Sequence, residues 1–334
     1  MSSRRDALTM INLGTLKNPN AGLWLDKFVT NLERQDKESR SQLAKEVARI
    51  AEPGCYKTFY ESWKISLDEI GAVSRPAEVK NRMAVGLGSD SVLETSVTLH
   101  RTYGMPYIPG SGLKGLAAAF AREYCSAEWQ IGKPFYEVVF GSNDQAGYVT
   151  FFDALYVPES GHNGNALHFD VMTVHHRAYY EGKNQPPADW DDPNPVPFLS
   201  ATGKYLIALA APAGCERWRD LAFQVLEEAL KHEGVGAKTS SGYGRARFEP
   251  PPVDQEQHRV EEMLRGIKSI PADKLPGELG GYADNLLKSQ LRPENKKKVA
   301  EFIVKRVSEA GSKQRKKFEE RSWFAEVQRL IGNV

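Results

Sequence analysis

A chain of 334 residues with 41% hydrophobic and 26% charged side chains has the composition of a globular protein and can bury one large core or two ordinary ones. No run approaches the roughly 18 apolar residues of a membrane span, the N-terminus MSSRRDALTMINLG lacks the apolar stretch of a secretory signal, and Cys55, Cys125 and Cys215 are too few and too scattered for a disulfide framework or a C-x-x-C metal site. Through Pro250, 27 Lys and Arg stand against 30 Asp and Glu, and beyond it 17 against 13, so the net charge of +1 does not exclude a polyanionic partner.

Up to position 80 the apolar residues recur at three- and four-residue steps, in AGLWLDKFVTNLE, RSQLAKEVARIAE and FYESWKISLDEIGAV, which predicts an N-terminal helical elaboration over 1–80. From Asn81 the texture changes. RMAVGLG and VLETSVTLH read as strands, SGLKGLAAAFAREYC as a helix with Ser111 as its N-cap, and YVTFFDALYV, ALHFDVMTV and YLIALAAP as strands. CERWRDLAFQVLEEALKHEG reads as a second helix and GYGRARFEP as a last strand. This order predicts an α+β, ferredoxin-like core over 81–250, with two helices on one face of an antiparallel sheet. Inside it, TVHHRAYYEGKNQPPADWDDPNPVPFL (173–199) is a long non-helical insert with Tyr179, Tyr180 and Trp190, which reads as a recognition arm. After Pro250, Pro251 and Pro252 the pattern is helical to the end, a basic extension over 251–334. Residues 292–317 carry ten basic side chains against three acidic ones, either a solvated helix face or a contact surface.

Two glycine motifs carry the functional signal. In MPYIPGSGLKGLAAAFARE, Gly110, Gly112 and Gly115 have the G-x-G-x-x-G spacing of a dinucleotide fingerprint. The acidic residue that should close the second strand is displaced, because Glu137 precedes the apolar run VVF, and no βαβ series follows. A P-loop fails because Lys114 is followed by Gly115. No nucleotide cofactor is expected. A glycine turn feeding a helix start still leaves N–H groups for an anion, with Lys114 adding charge; a plain tight turn is the alternative. The second motif, GVGAKTSSGYGRARF, brackets Lys238, Thr239, Ser240 and Ser241 between Gly234, Gly236, Gly242 and Gly244. With Arg245 these are donors suited to phosphates, and Tyr243 offers a face for a base. Together the two turns read as halves of one RNA-backbone grip.

The G-h-G, five residues with a basic one, G-h-G pattern resembles the glycine-rich loop of the RAMP superfamily of CRISPR RNA-binding proteins, and IPGSGLKG resembles that superfamily's turn before its first helix. VGLGSDSVLETSVTLH, FDVMTVHH, NPVPFL and GVGAKTSSGYGR are similar, in this order, to the Cmr-type subunit near the crRNA 3′ end of type III-B effector complexes. Val174 stands where that pattern has proline. The resemblance covers about Leu13 to Arg247 and leaves the tail beyond Pro252 unexplained. It implies an RRM-like, ferredoxin-like core in a cytoplasmic ribonucleoprotein. Its partners would be crRNA, target RNA and other RAMP backbone subunits, with no membrane, and target cleavage would lie in those other subunits. The RNA-binding residues implied are Ser111, Gly112 and Lys114 in the first turn and Lys238, Thr239, Ser240 and Arg245 in the second.

Catalysis has one candidate region. His175 and His176, with Asp170, Asp189, Asp191 and Asp192, could serve metal-dependent or acid–base cleavage. Adjacent histidines on a strand point apart and no H-x-x-x-H spacing occurs, so no catalytic or metal residue is assigned, and His175, His176 and Arg177 are expected to touch RNA or a neighbouring subunit. Asp153 reads as a strand-end turn residue. The alternatives are an endoribonuclease of the same family and an assembly-only subunit without RNA contact.

Overall fold

The computed structural model describes residues 8, 10–29, 37–93, 95–174, 194–250, 255–310 and 312–332, with 179, 182, 186 and 188. They form two compact units, Met1–Glu249 and Pro250–Val334.

The first unit holds the helices α1 (Ala21–Lys27), α2 (Lys37–Val47), α3 (Tyr56–Glu69), α4 (Gly110–Tyr124), α5 (Pro134–Phe140) and α6 (Glu216–His232). Its strands are β1 (Val73–Val79), β2 (Tyr107–Ile108), β3 (Thr150–Phe151), β4 (Ala154–Tyr156), β5 (Leu167–Val174), β6 (Asn194–Ala201), β7 (Lys204–Ala210) and β8 (Ala246–Phe248). The main sheet runs β2, β4, β7, β1, β8, with β3 also on β7, and every pairing is antiparallel.

Cross-strand register fixes the faces. Phe248 lies opposite Ala77, and Ala77 opposite Tyr205; Tyr107 lies opposite Leu155, and Leu155 opposite Leu206. Since Tyr205 and Leu206 are consecutive, Phe248 and Tyr107 point to opposite faces. Phe223 of α6 meets Phe248 at 5.8 Å, so α6, with α4 packed beside it, covers one face. Phe59 of α3 meets His100 at 5.1 Å and His100 meets Tyr107 at 6.4 Å, so α3 lies over the other. Tyr205 to Leu209 are all buried, and β7 therefore presents no open face on which a base could stack. At the α3 side Tyr56 donates its hydroxyl to the Tyr156 carbonyl at 2.6 Å, and burial pushes this phenol far above its usual range.

Three local readings are corrected. The helical pattern expected through Val73 stops at Glu69, and Val73–Val79 is an inner strand of the sheet despite Pro76. A proline lacks the N–H a ladder needs. Pro76 faces the point where β8 has just ended, and its carbonyl takes the N–H of Glu249 at 2.9 Å, so no donor is missed. RMAVGLG and VLETSVTLH are not strands, although Met83 and Leu99 make isolated bridges to Ala201 and Pro106. The two segments fold back on each other through Thr98 N–H to Val85 O at 2.8 Å and Ser96 N–H to Leu87 O at 3.1 Å, around Gly86 at φ +80°. The arm expected over 173–199 is in part a strand: β6 pairs with β5 from Leu167 opposite Ala201 to Val174 opposite Asn194, and α2 packs on this hairpin.

The second unit consists of α7 (Gln255–Ser269), α8 (Leu275–Lys288), α9 (Pro293–Ser308), α10 (Ser312–Glu319) and α11 (Ser322–Gly332), closed over Val260, Ile267, Leu279, Leu286, Ile303 and Val327. Glu256 accepts the Arg292 N–H at 2.6 Å and the Asn295 amide at 2.7 Å, and these bonds hold its carboxyl below the usual range. The exposed stripe of α9 reads Glu294, Lys298, Glu301, Lys305, Glu309. Acid and base alternate along it, so this stripe of the basic run compensates its own charge.

Candidate nucleic-acid interface

The first glycine turn is closed by the chain itself. The helix begins at Gly110 with Pro109 at the N-cap, not at Ser111. Asp153 Oδ1 accepts the Gly110 N–H at 2.7 Å, and the Pro109 carbonyl takes those of Gly112 and Leu113 at 2.9 and 3.1 Å. A β-carbon on Gly110 would run into the Phe151 carbonyl, whereas one on Gly112 would meet nothing. Ser111 and Gly112 are exposed and Lys114 half-buried. Most of the anion-binding capacity expected at this helix start is thus taken up by Asp153 and Pro109, and Lys114 remains beside it without an ion-pair partner among the described residues.

The second turn is shaped by backbone contacts on the inside and is open on the outside. A β-carbon on Gly244 would strike the Val235 carbonyl, one on Gly236 the Ala84 carbonyl, and one on Gly234 the Gly244 carbonyl carbon; three of the four glycines therefore serve close chain packing. Gly242, at φ +86°, has nothing near its missing side chain. Between them Thr239–Ser241 form a 3-10 turn. Its inner bonds run from the N–H groups of Ser241 and Tyr243 to the Lys238 carbonyl at 3.0 and 3.2 Å, and from Gly242 to Thr239 at 2.9 Å. The N–H groups of Thr239 and Ser240 have no partner among the described residues. Lys238 itself is left-handed at φ +61°, a conformation that costs a lysine about 1–2 kcal/mol, and its ammonium stands 5.7 Å from the centroid of the buried Phe198 ring.

Behind this lip lies a polar cluster. Asp170 Oδ2 on β5 accepts the Tyr243 hydroxyl at 3.0 Å and the Ser200 hydroxyl at 2.9 Å. Arg82 Nη1 donates to Ser200 Oγ at 3.2 Å and stands 3.9 Å from the Asp170 carboxylate. Burial and the Asp170 carboxylate raise the Tyr243 phenol above its usual range. Tyr243 is thus a tethered side chain, its ring 6.0 Å from Phe198. Arg245 donates to the Lys231 carbonyl at 3.4 Å, capping the end of α6. Arg82, Phe198 and Ser200 were not marked by the sequence, since their role depends on the pairing of β6 with β5. His175, His176, Arg177, Asp189, Asp191 and Asp192 lie outside the described residues, and among the described residues no three His, Cys, Asp or Glu side chains converge as for a metal.

The two turns do not meet in one grip. Ile108, two residues before the first, is on the edge strand β2, while Ala246, just after the second, is on the opposite edge strand β8. Ile108 shares a cross-strand row with Arg75 of β1, through Ala154 and Ile207, whereas Ala246 pairs with Val79. Four strand spacings sideways and four residues lengthwise put the turns at diagonal corners, with Ile108 and Ala246 beside them roughly 23 Å apart.

The stretch from β1 through β8, residues 77–248, matches the family model described as the RAMP superfamily. The chain belongs to the RAMP superfamily. This RAMP protein is 30% identical over 303 residues to the CRISPR system Cmr subunit Cmr6 of Pyrococcus furiosus, covering 73% of this chain and 84% of the relative, and so belongs with the Cmr6 family. A chain in the cryo-EM structure of the type III-B Cmr-beta bound to cognate target RNA shares the RAMP fold, with a TM-score of 0.51 at 19% identity over 63% of this chain and 71% of that one. The crystal structure of Pyrococcus furiosus Cmr6 aligns at 30% identity over 53% of this chain and 98% of its own, with a TM-score of 0.36. The RAMP match ends at Phe248, and the helical unit from Pro250 lies beyond it.

Proposed function

We propose that this RAMP protein is a non-catalytic RNA-binding subunit of an intracellular type III-B CRISPR ribonucleoprotein, where it holds the 3′ part of the crRNA, borders the target RNA and docks on other backbone subunits. Membership of the Cmr6 family supports the assembly. The observation that carries the RNA contact is the outer lip of the second turn, where the half-exposed Lys238 is followed by Thr239 and Ser240, whose N–H groups have no partner among the described residues. Such a set grips phosphate without reading sequence. Asp170, the nearest to His175 and His176 in sequence of the four candidate aspartates, is engaged with Tyr243 and Ser200, which supports a structural use over a catalytic one.

The test is recovery of the assembled complex from cells carrying wild-type or Lys238→Ala protein, followed by sequencing of the bound RNA. The reading expects RNA of defined length with a repeat-derived 5′ handle, less well retained by the variant. Assembled complex whose RNA is unchanged by Lys238→Ala would favour a subunit that touches only protein. Target cleavage that fails with Asp170→Asn while RNA is still bound would favour an endoribonuclease.

A further inference from the structure

An aspartate beside a phosphate grip repels the ligand, so its presence there needs a physical reason. Asp170 is the hub that joins three segments. Through Oδ2 it holds Tyr243 of the second turn at 3.0 Å and Ser200 of β6 at 2.9 Å, and Ser200, with 0% of its surface exposed, passes the connection to Arg82 at 3.2 Å. Arg82 returns to the turn, its carbonyl accepting the Gly244 N–H at 2.7 Å. Tyr243 in turn closes the loop that presents Lys238, its N–H reaching the Lys238 carbonyl at 3.2 Å. The left-handed backbone of Lys238 and the unhindered Gly242 beside Tyr243 leave this loop other conformations if the tyrosine is released.

We propose that Asp170 is a positioning residue for RNA: without touching the ligand, it clamps the Tyr243 hydroxyl and thereby fixes the Lys238 turn against the β5–β6 hairpin, so that RNA meets a preformed surface. The neighbouring Arg82 offsets the carboxylate charge. The inference rests on the RNA-binding reading given above, and the experiment separates the two.

The full chain is titrated with a labelled guide-length single-stranded RNA between about 50 and 200 mM salt, comparing Asp170→Ala, Asp170→Asn, Tyr243→Phe and Lys238→Ala. Loss of a charge-assisted hydrogen bond predicts about tenfold weaker binding for Asp170→Ala and for Tyr243→Phe. Their double variant is no weaker than either alone, and Asp170→Asn, which keeps an oxygen for the phenol, stays within about twofold by the same reasoning. In a Lys238→Ala background the Asp170→Ala penalty disappears, whereas a general loss of stability would persist there. Tyr243→Phe carries the test if Asp170→Ala does not fold. Weakening by Lys238→Ala alone, with Asp170→Ala and Tyr243→Phe binding as wild type or more tightly, overturns the positioning role and leaves the RNA reading standing. Binding untouched by Lys238→Ala overturns the RNA reading and this inference with it.

Discussion

The Asp153 carboxylate accepts the N–H of Gly110 at 2.7 Å, so the first turn of α4 is capped from the β3–β4 connection, 43 residues further along the chain. A turn residue between β3 and β4 thereby does the work of an N-cap that Pro109 cannot do.

From this bond, Asp153→Ala is expected to destabilise the protein by about 1 kcal/mol, the usual range for a lost cap, with Asp153→Asn costing less. Gly110→Ala costs more than either, since its methyl group collides with the Phe151 carbonyl. Urea unfolding curves give the ranking. An Asp153→Ala protein as stable as wild type would show that the cap contributes nothing.

Because Lys114 and Lys238 sit at opposite corners of the sheet, their effects on RNA affinity are expected to be independent. Each alanine variant should lower the slope of log affinity against log salt by about one, and the double variant should equal the sum within about 0.5 kcal/mol. Binding isotherms at several salt concentrations measure both quantities. Strong non-additivity would mean that the two lysines share a phosphate.

The left-handed backbone of Lys238 separates stability from binding. Lys238→Gly should leave the melting temperature unchanged or slightly higher, because glycine takes φ +61° without strain, while RNA binding falls as it does in Lys238→Ala. A marked loss of thermal stability in Lys238→Gly would show that the lysine side chain serves the fold.

Acid should weaken the first unit through His168. Its burial, together with the Arg82 guanidinium, holds the imidazole pKa below the ordinary value of 6.5, and its Nε2 has no hydrogen-bond partner among the described residues. The unfolded chain takes up this proton at a higher pH than the folded one. The stabilisation is therefore present above about pH 6.5 and is lost as pH falls through the lower folded value. His100, also lowered by burial, acts in the same direction. Melting temperatures from about pH 7 down to about pH 5.5 should fall for wild type and less steeply for His168→Gln; parallel curves would assign the pH dependence elsewhere.

The helices were legible because α6 repeats its apolar residues at three- and four-residue steps along an otherwise charged sequence, a pattern that needs no partner to be seen. β1 was hidden by Pro76, whose tolerance depends on where β8 ends 172 residues later. The second glycine turn stands out in the sequence, but only the fold shows that Gly234, Gly236 and Gly244 answer to neighbouring backbone and that Arg245 caps a helix. The sequence put Asp170 among possible acids for catalysis. Its tie to Tyr243 spans 73 residues, and no local spacing announces a bond of that kind.

The diagonal placement of the glycine turns has a consequence for what the protein can hold. With stacked nucleotides advancing about 3.4 Å each along a strand, a path of roughly 23 Å corresponds to about seven nucleotides. A mononucleotide or a trimer can occupy only one corner, however well its phosphates fit. On the RNA-binding reading the sheet would act as a gauge block: fragments below this length would gain a single contact, and longer ones the second at the high effective concentration of a tethered site. Affinity would then rise in a step with oligonucleotide length.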